Sequence, residues 1–298
     1  MQVFTSDHWK DYELIDTGGL EKLERFGKYI LIRPEPQAVW QKSLPEKEWE
    51  ELSNARYKRS KGVDPAKHEF SEKGVWSLKP GIPEQWFIGY SYKAMKLTFR
   101  LGLTAFGHIG IFPEQANNWE YIYDFIISSH KPFKVLNLFA YTGGASLAAK
   151  AAGADVVHVD SVKPVIQWAR DIMEASGLKD IRWVVEDALK FVKREVKRGN
   201  HYEGIILDPP AYGRGPEGEK WVLPDAIDEM VKLCSQLLES KYSLFMISLY
   251  SMGFSPLISD SLVKTHFGES GQKEYGELVF TDRSGRILPL GTVLRFQK

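Results

Sequence analysis

The residues best suited to chemistry lie in the segment Asp208-Pro-Pro-Ala-Tyr-Gly-Arg-Gly215, which directly follows the apolar run 204–207. Two consecutive prolines remove two backbone donors and end strand pairing, and the first proline favours an extended Asp208. We expect a stiff edge whose carboxylate and carbonyl oxygens accept hydrogen bonds from an N–H-bearing group. Tyr212 offers a face for stacking a base, a contact of about 1–3 kcal/mol. Arg214 is a candidate phosphate ligand.

A second candidate segment is Asn137-Leu-Phe-Ala-Tyr-Thr-Gly-Gly144, which lies between an apolar run and a helical stretch. Two adjacent glycines allow close approach of a ligand to the backbone, and amides at a helix start favour an anion. Asp160 ends the next apolar run, where an acid can accept from both hydroxyls of a ribose. Acidic side chains in Glu186-Asp187-Ala188, after the third run, are candidates to accept from an adenine amino group. The alternative is a structural Gly-Gly turn beside a surface acid, and the missing G-x-G-x-x-G pattern weakens a nicotinamide or flavin interpretation.

The elements that position these segments alternate regularly. Short apolar runs typical of strands cover 135–139, 156–159, 181–185, 204–207 and 244–247. Helical spacing is found at 143–152, 162–177, 187–198 and 224–239. This alternation predicts an α/β fold with a Rossmann-like, doubly wound, mainly parallel sheet. Ligands of such sheets bind at the carboxyl ends of the strands, at the switch point.

Both ends of the chain differ from this pattern. Residues 1–100 contain the extended runs 28–33, 86–90 and 97–101 separated by turns, which predicts a small β-rich domain before a second domain over 101–298. Within it, the polar segment 45–73 is expected to be loop or partly ordered. At the other end, the runs 277–280 and 292–296 predict an antiparallel hairpin that closes the edge of the sheet.

The net charge of the chain does not favour binding to nucleic acid, since Lys+Arg and Asp+Glu both number 39. A nucleic-acid site would therefore be a local basic patch. Arg56-Tyr-Lys-Arg-Ser-Lys61 and Tyr90-Ser-Tyr-Lys-Ala-Met-Lys96 are the candidates. The alternative for the first is a solvated loop balanced by nearby acids, namely Glu46, Glu48, Glu50 and Glu51.

The composition also indicates where the protein is located and whether it holds a disulfide or a metal. A single cysteine excludes an internal disulfide, and no His/Cys/carboxylate set indicates a metal. Because the chain begins without a signal peptide's apolar core and no apolar run reaches the ~20 residues that span a bilayer, we expect a cytoplasmic protein without membrane contact.

Together, the segment 137–144 with Asp160, Asp187-Ala188 and Asp208-Pro-Pro210 resembles the class I S-adenosylmethionine-dependent methyltransferases. Phe-x-Tyr-Thr-Gly-Gly and the upstream Gly110-Ile-Phe-Pro-Glu-Gln115 are similar to the bacterial 23S ribosomal RNA large-subunit methyltransferase group. The resemblance covers about residues 104–298, and its motifs are specific to the cofactor more than to the substrate.

The resemblance implies a role for each matching position. Asp208, Pro209 and Pro210 would face the methyl acceptor, with Tyr212 stacked on it. The residues implied to contact S-adenosylmethionine are Phe112, Glu114, Gln115, Asn137, Phe139, Ala140, Tyr141, Thr142, Gly143, Asp160, Ser161, Val162, Asp187, Ala188 and Asp208. The implied partner is an RNA substrate, either ribosomal RNA or an assembly intermediate. No metal is implied, because methyl transfer from a sulfonium relies mainly on alignment.

Two features depart from the group. Many members have an RNA-binding domain of the PUA type, which residues 1–100 do not show. Members that methylate carbon 5 of cytosine need a cysteine nucleophile, whereas Cys234 lies at a core position of a helical stretch. The sequence therefore favours direct in-line transfer to a base nitrogen. A protein or small-molecule acceptor remains open, as does a non-catalytic RNA- or protein-binding module on an inactive scaffold.

Overall fold

The structure, a computed structural model, describes residues 2–59, 73–250 and 253–298. Two compact units divide the chain. The sheet unit comprises Met1–Thr5, Glu114–Leu278 and Leu290–Lys298. The amino-terminal unit comprises Ser6–Pro113 and Val279–Pro289.

The division falls after Pro113, not near residue 100 as the composition of the sequence indicated. Residues 103–113 belong to the amino-terminal unit because the segment folds back on it, and the Trp9 indole N–H donates to the Pro113 carbonyl over 3.0 Å. The tip of the carboxyl-terminal hairpin also belongs there. Its Asp282 carboxylate accepts from the Thr17 hydroxyl over 2.6 Å. Hydrogen bonds between residues far apart in sequence set both limits, so local composition did not reveal them.

The amino-terminal unit is β-rich, as predicted. After β1 (Gln2–Phe4) of the sheet unit, its elements are β2 (Tyr12–Gly18), β3 (Glu21–Phe26), β4 (Tyr29–Pro34), α1 (Glu46–Leu52), β5 (Ala55–Arg59), β6 (Gly74–Leu78), β7 (Gln85–Tyr92) and β8 (Met95–Gly102). Strands β2 to β6 form one sheet in sequence order, and β7 and β8 form an antiparallel ribbon.

Of the two expectations for 45–73, the loop is wrong in the first part and partial order is right, because α1 and β5 lie within it. The remainder, 60–72, lies outside the described residues. Helix α1 buries only Trp49, so its charged sequence has no apolar periodicity. Strand β5 is fixed by non-local pairing, parallel to β4 and antiparallel to β6.

A buried carboxylate organises this unit. Asp16 is 1% exposed, and its oxygens accept from the Leu44 amide at 2.9 Å and the Trp49 indole at 2.8 Å. They also accept from the amides of Thr17 and Ser43. Because a buried charge is tolerated only when its hydrogen-bonding capacity is filled, Asp16 determines how the chain before α1 packs on β2.

We expect Asp16→Ala to destabilise the amino-terminal unit by roughly 3–5 kcal/mol, since it leaves several buried donors without an acceptor. Thermal and denaturant unfolding followed by tryptophan fluorescence measure this loss. Glu48→Ala, an exposed change on α1, is the control and should alter stability by about 0.5 kcal/mol or less. Equal stability of the two variants would contradict the role of Asp16.

The sheet unit contains the alternating elements that the sequence predicted. They are α2 (Ala116–Ser129), β9 (Lys134–Leu138), α3 (Gly144–Ala151), β10 (Asp155–Asp160), α4 (Lys163–Ala175), β11 (Ile181–Val185), α5 (Ala188–Arg198), β12 (Gly204–Leu207), β13 (Tyr212–Arg214), β14 (Lys220–Val222), α6 (Leu223–Leu237), β15 (Leu244–Leu249), α7 (Pro256–Phe267), β16 (Gln272–Thr281) and β17 (Ile287–Gln297).

The main sheet has the strand order β1-β16-β17-β15-β12-β9-β10-β11. Strands β9, β10, β11, β12 and β15 pair in parallel, and β17 pairs antiparallel to β15. This confirms the predicted doubly wound, mainly parallel sheet. The hairpin does not form the sheet edge as expected, because the short strand β1 pairs with β16 beyond it.

The reversal of strand order creates a crevice between β9 and β12. From β9 the chain continues to β10 and β11 on one side, whereas β12 is followed by β15 on the other. The loops after β9 and β12 therefore meet at the switch point, where open α/β sheets bind ligands. Cys234 on α6 is fully buried in the core against this sheet, as the sequence predicted. Among the described residues, no helix has the length and hydropathy needed to cross a membrane.

Candidate active site

The loop after β9 has an unusual backbone. Phe139 and Tyr141 adopt left-handed conformations, with φ of 55° and 49°. Such conformations cost of order 1–3 kcal/mol each for non-glycine residues. Hydrogen bonds hold the loop in place: the Ala140 amide donates to the Val159 carbonyl at 3.1 Å, and the Gly143 amide donates to the Ala140 carbonyl at 2.9 Å. The end of β10 therefore determines the shape of this loop.

Asp160 connects the two loops at the ends of β9 and β10. One carboxylate oxygen accepts from the Tyr141 amide at 2.9 Å, and the other accepts from the Val162 amide at 2.9 Å. Burial raises the pKa of Asp160, and these amides together with that of Ser161 oppose the rise. Because each carboxylate oxygen accepts more than one hydrogen bond, Asp160 retains capacity for ligand hydroxyls.

The two glycines of this loop have a packing role, which agrees with the structural alternative that the sequence left open. A Cβ on Gly144 would lie 2.5 Å from the Trp119 indole, and a Cβ on Gly143 would lie 3.3 Å from the His158 ring. Gly143 also has a φ of 89°, a conformation that favours glycine. Bulky neighbours within the protein, and not only a ligand, therefore require glycine here.

Asn137 lies beneath the loop in a buried polar cluster. Its side-chain amide donates to the Ser146 hydroxyl at 2.9 Å, and that hydroxyl lies 3.0 Å from Nδ1 of His158. All three residues are buried. Burial lowers the pKa of His158 to about 3, so the imidazole is neutral. The Asn137 side chain thus supports helix α3 from below.

The end of β11 adds polar and apolar groups. Asp187 caps helix α5 by accepting from the Lys190 amide at 2.8 Å, with Ala188 as the first residue of the helix. In the strand register Asp160 lies beside Val185, which is 42% exposed, and Val162 is 45% exposed. Two exposed valines therefore flank Asp160. Sequence reasoning missed Val185, although an exposed apolar residue at the end of a central-sheet strand is a signal for a ligand surface.

Asp208 lies at the end of β12 and contains an unsatisfied acceptor. Its Oδ1 atom is buried and has no hydrogen-bond partner among the described residues. Burial and the negative charge of Glu114 raise the pKa of Asp208 to about 7. Because a buried polar atom without a partner is costly, Oδ1 is suited to receive an N–H or O–H from a bound molecule.

Trp221 fixes the loop after Asp208. Its indole N–H donates to the Pro210 carbonyl over 2.7 Å, and its ring packs on Phe139 with centroids 4.7 Å apart. The expectation that all carbonyls of this segment face the crevice is therefore wrong for Pro210, whose oxygen is bound by Trp221. The side chain of Trp221 connects the loops that follow β9 and β12. No sequence motif marked it, because the contact arises from a hairpin fold-back.

The segment after the prolines is a hairpin of β13 and β14. Tyr212 begins β13 and is 49% exposed. Arg214 lies opposite Lys220 across the hairpin, and both are exposed. The acids of the hairpin, Glu217 and Glu219, form ion pairs with Lys190 on α5. In the register Tyr212 lies opposite Val222 at the base of the hairpin, whereas Arg214 and Lys220 form the last pair before the turn.

Glu114 and Gln115 lie in the 3-10 turn that leads into α2. The Gln115 side-chain oxygen accepts from the Asn118 side-chain amide at 2.7 Å. The effect of Glu114 on the pKa of Asp208 places its charge near β12. Phe112 belongs to the amino-terminal unit, where its ring packs edge-on against His108 at 5.4 Å.

Comparison with known proteins shows the family to which the chain belongs. A family model described as S-adenosylmethionine-dependent methyltransferase matches residues 82–247, more than half of the chain. The chain belongs to this family. The crystal structure of the SAM-dependent methyltransferase from Agrobacterium tumefaciens is 36% identical and covers 100% of this chain and 93% of that chain, with a TM-score of 0.89. This protein is therefore an enzyme that uses S-adenosylmethionine.

Curated relatives of the methyltransferase match over shorter stretches. Over 82 residues it is 39% identical to ribosomal RNA large subunit methyltransferase I of Photobacterium profundum, covering 26% of this chain and 21% of that protein. Over 124 residues it is 32% identical to ribosomal RNA large subunit methyltransferase K/L of Shewanella frigidimarina, and the match covers 41% of this chain and 17% of that protein. The chain spans less than a quarter of the length of these two relatives.

We expect Gly144→Ala to destabilise the methyltransferase by about 1–3 kcal/mol, because the added methyl group would overlap the Trp119 ring. Denaturant unfolding measures the change. In a Trp119→Leu background, where the indole is absent, the same substitution should cost less than half as much. An equal cost in both backgrounds would show that Trp119 is not the cause.

Proposed function

We propose that this methyltransferase transfers a methyl group to a base nitrogen of ribosomal RNA, or of an assembly intermediate, by direct in-line displacement. The observation that carries the proposal is Asp208. The buried Oδ1 atom of Asp208 has no hydrogen-bond partner among the described residues. In the chain, Asp208 is followed by two prolines and then by Tyr212, whose ring is exposed. An unsatisfied acceptor beside a stacking surface suits a planar group that bears N–H.

The residues at the crevice fit S-adenosylmethionine. Asp160 would accept from the ribose hydroxyls, and Val162 and Val185 would contact the faces of the adenine. The strained loop at Phe139 would surround the methionine part, and the negative charges of Glu114 and Asp208 complement a sulfonium. The other contacts proposed from the resemblance are Phe112, Gln115, Ala140, Tyr141, Thr142, Gly143, Ser161, Asp187 and Ala188. The backbone of Asn137, whose side chain bonds Ser146, completes this set.

When bound, the cofactor supplies a methyl group on a positively charged sulfur, so the leaving group is already activated. In such a displacement the lone pair of the acceptor nitrogen would form the new N–C bond as the C–S bond breaks with its electrons on sulfur, and the Asp208 carboxylate would take the proton that the nitrogen loses. Ionised Asp208 accepts the N–H hydrogen bond and aligns the lone pair, and the Pro209 carbonyl is a second acceptor. Alignment and a nearby negative charge supply the catalysis.

The hairpin favours a nucleic-acid acceptor. Tyr212 would stack on the target base, and Arg214 and Lys220 would bind flanking phosphates. Both side chains are exposed cations, which is the type of group that contacts a phosphate backbone. The names of the curated relatives, which describe ribosomal RNA methyltransferases, support the same class of substrate.

The two basic clusters of the amino-terminal unit differ in accessibility. Arg56 is bound by Glu21, Glu46 and Glu50, which favours the balanced-loop alternative for the cluster that begins there. The final part of that cluster, Ser60 and Lys61, lies outside the described residues.

The second cluster is more suitable for RNA. Tyr90 is buried, but Lys93 and Lys96 are exposed on the β7–β8 ribbon. In that ribbon Phe87, which is 58% exposed, pairs with Arg100. An exposed aromatic ring with neighbouring cations is typical of single-stranded RNA contacts. We therefore propose the β7–β8 ribbon as a secondary contact for RNA.

We expect kcat/KM to rise with pH through a single ionisation near pH 7, since the pKa of Asp208 is raised to about 7 and only its ionised form accepts from the nitrogen. Glu114→Gln removes the neighbouring negative charge, which should lower the pKa of Asp208 and move the rise to lower pH. Initial rates from about pH 5 to 9, with RNA well below its KM so that they report kcat/KM, measure both profiles. Asp208→Asn should be slow and nearly independent of pH; an unchanged rise in that variant would assign the ionisation to another group.

The acceptor class is tested with methyl-labelled S-adenosylmethionine in extract from a strain that lacks the gene. We expect label in ribosomal RNA with the wild-type enzyme and a loss of at least about 100-fold with Asp208→Ala, the scale of one acid–base contribution. Arg214→Ala with Lys220→Ala should weaken RNA binding and reduce its salt dependence, without changing cofactor affinity. Label in protein or small molecules would contradict the RNA proposal, and label retained by Asp208→Ala would contradict the mechanism.

A further inference from the structure

We propose that Asn118, held by the buried Arg295, is a positioning residue that fixes the orientation of the Gln115 amide towards the cofactor. The proposal rests on the proposed role of Gln115 in binding S-adenosylmethionine. All three residues belong to the sheet unit. Neither Asn118 nor Arg295 is part of the motifs that indicated the active site.

Arg295 on β17 is an unusually enclosed cation, 3% exposed. Its guanidinium donates to the Asn118 side-chain oxygen from Nε at 3.2 Å and from Nη2 at 2.7 Å. It also donates to Glu274 at 2.7 Å and to the side-chain oxygen of Asn117. The aromatic rings of Phe4 and Tyr121 lie 4.6 and 4.4 Å from its central carbon. These contacts hold the guanidinium in one position.

A guanidinium only donates hydrogen bonds, and this determines the orientation of Asn118. The amide oxygen of Asn118 must face Arg295, so its NH2 group faces the opposite way. There it donates to the Gln115 side-chain oxygen at 2.7 Å and to the Ser248 hydroxyl at 3.3 Å. The donors and acceptors around the Asn118 amide therefore show which of its two ends is the oxygen and which is the NH2 group.

The same reasoning extends to Gln115. Its oxygen is engaged by Asn118, so its NH2 group is directed away from Asn118. A fixed donor at this position suits an anionic or carbonyl oxygen, such as the carboxylate of the methionine part of the cofactor. Arg295 and Asn118 would therefore determine that Gln115 presents its NH2 group, and not its oxygen, to the cofactor.

The location of this chain of hydrogen bonds connects it to the site. Ser248 follows Ile247 on β15, and Ile247 pairs with Leu207, the residue before Asp208. Glu114, whose charge raises the pKa of Asp208, directly precedes Gln115. The chain from Arg295 therefore ends at the carboxyl edge of β12 and β15.

Asn118→Asp tests the proposal, because it preserves shape and still accepts from Arg295 but no longer donates to Gln115. The Gln115 amide should then turn its NH2 group towards residue 118 and present its oxygen to the cofactor. We expect the affinity for S-adenosylmethionine and S-adenosylhomocysteine, measured by calorimetry, to fall about tenfold, which corresponds to ~1.4 kcal/mol. The melting temperature of the variant without ligand should change little.

Asn117→Asp is the matched control, since Asn117 also accepts from Arg295 but donates to the Thr5 carbonyl and not to Gln115. It should leave cofactor affinity within about twofold. Equal losses of affinity in Asn117→Asp and Asn118→Asp would overturn the proposal, because they would reflect a general disturbance around Arg295.

Gln115→Leu separates this proposal from the function on which it rests. We expect it to weaken cofactor binding, and we expect Asn118→Asp to add nothing in that background. If Gln115→Leu binds cofactor normally, the proposed role of Gln115 fails, and this inference fails with it. If Gln115→Leu weakens binding but Asn118→Asp does not, only the positioning role is overturned. A further loss in the double variant would overturn it too, since Asn118 would then act by another route.

Discussion

The Asp160 carboxylate is the contact on which the candidate active site most depends. It accepts from the Tyr141 amide in the loop after β9 and from the Val162 amide in its own loop. Without these acceptors, the left-handed Phe139 and Tyr141 would have little to offset their conformational cost. A single buried acid thus shapes the loop and remains available to a ligand. In the proposed function, the shape of the loop and the binding of the cofactor would depend on the same group.

A second connection crosses the switch point. Trp221 packs on Phe139 and donates to the Pro210 carbonyl, so the loops after β9 and β12 contact one indole. The hairpin that places Trp221 also presents Tyr212, Arg214 and Lys220. Alignment dominates methyl transfer, so a rigid connection between these loops has direct catalytic value.

Charge is distributed differently in the two units. In the amino-terminal unit most acids and bases satisfy one another, as with Glu24, which is fully buried and paired with Arg33. In the sheet unit, Asp208 lies near the like charge of Glu114, and Arg214 lies opposite Lys220. The like charge of Glu114 beside Asp208 costs stability, and the proposed function places a cationic cofactor near this pair.

The sequence by itself determined the alternating strands and helices, the family and the cofactor, and it predicted Asp160 and Asp208 as site residues. These features depend on local periodicity and on short motifs with fixed neighbours. Only the tertiary structure decided the roles of Trp221, Asn118 and Arg295, the packing reason for Gly144, and the units' limits at Pro113 and in the hairpin tip. Each of those depends on contacts between residues far apart in the chain, such as Arg295 with Asn118, which no local pattern encodes.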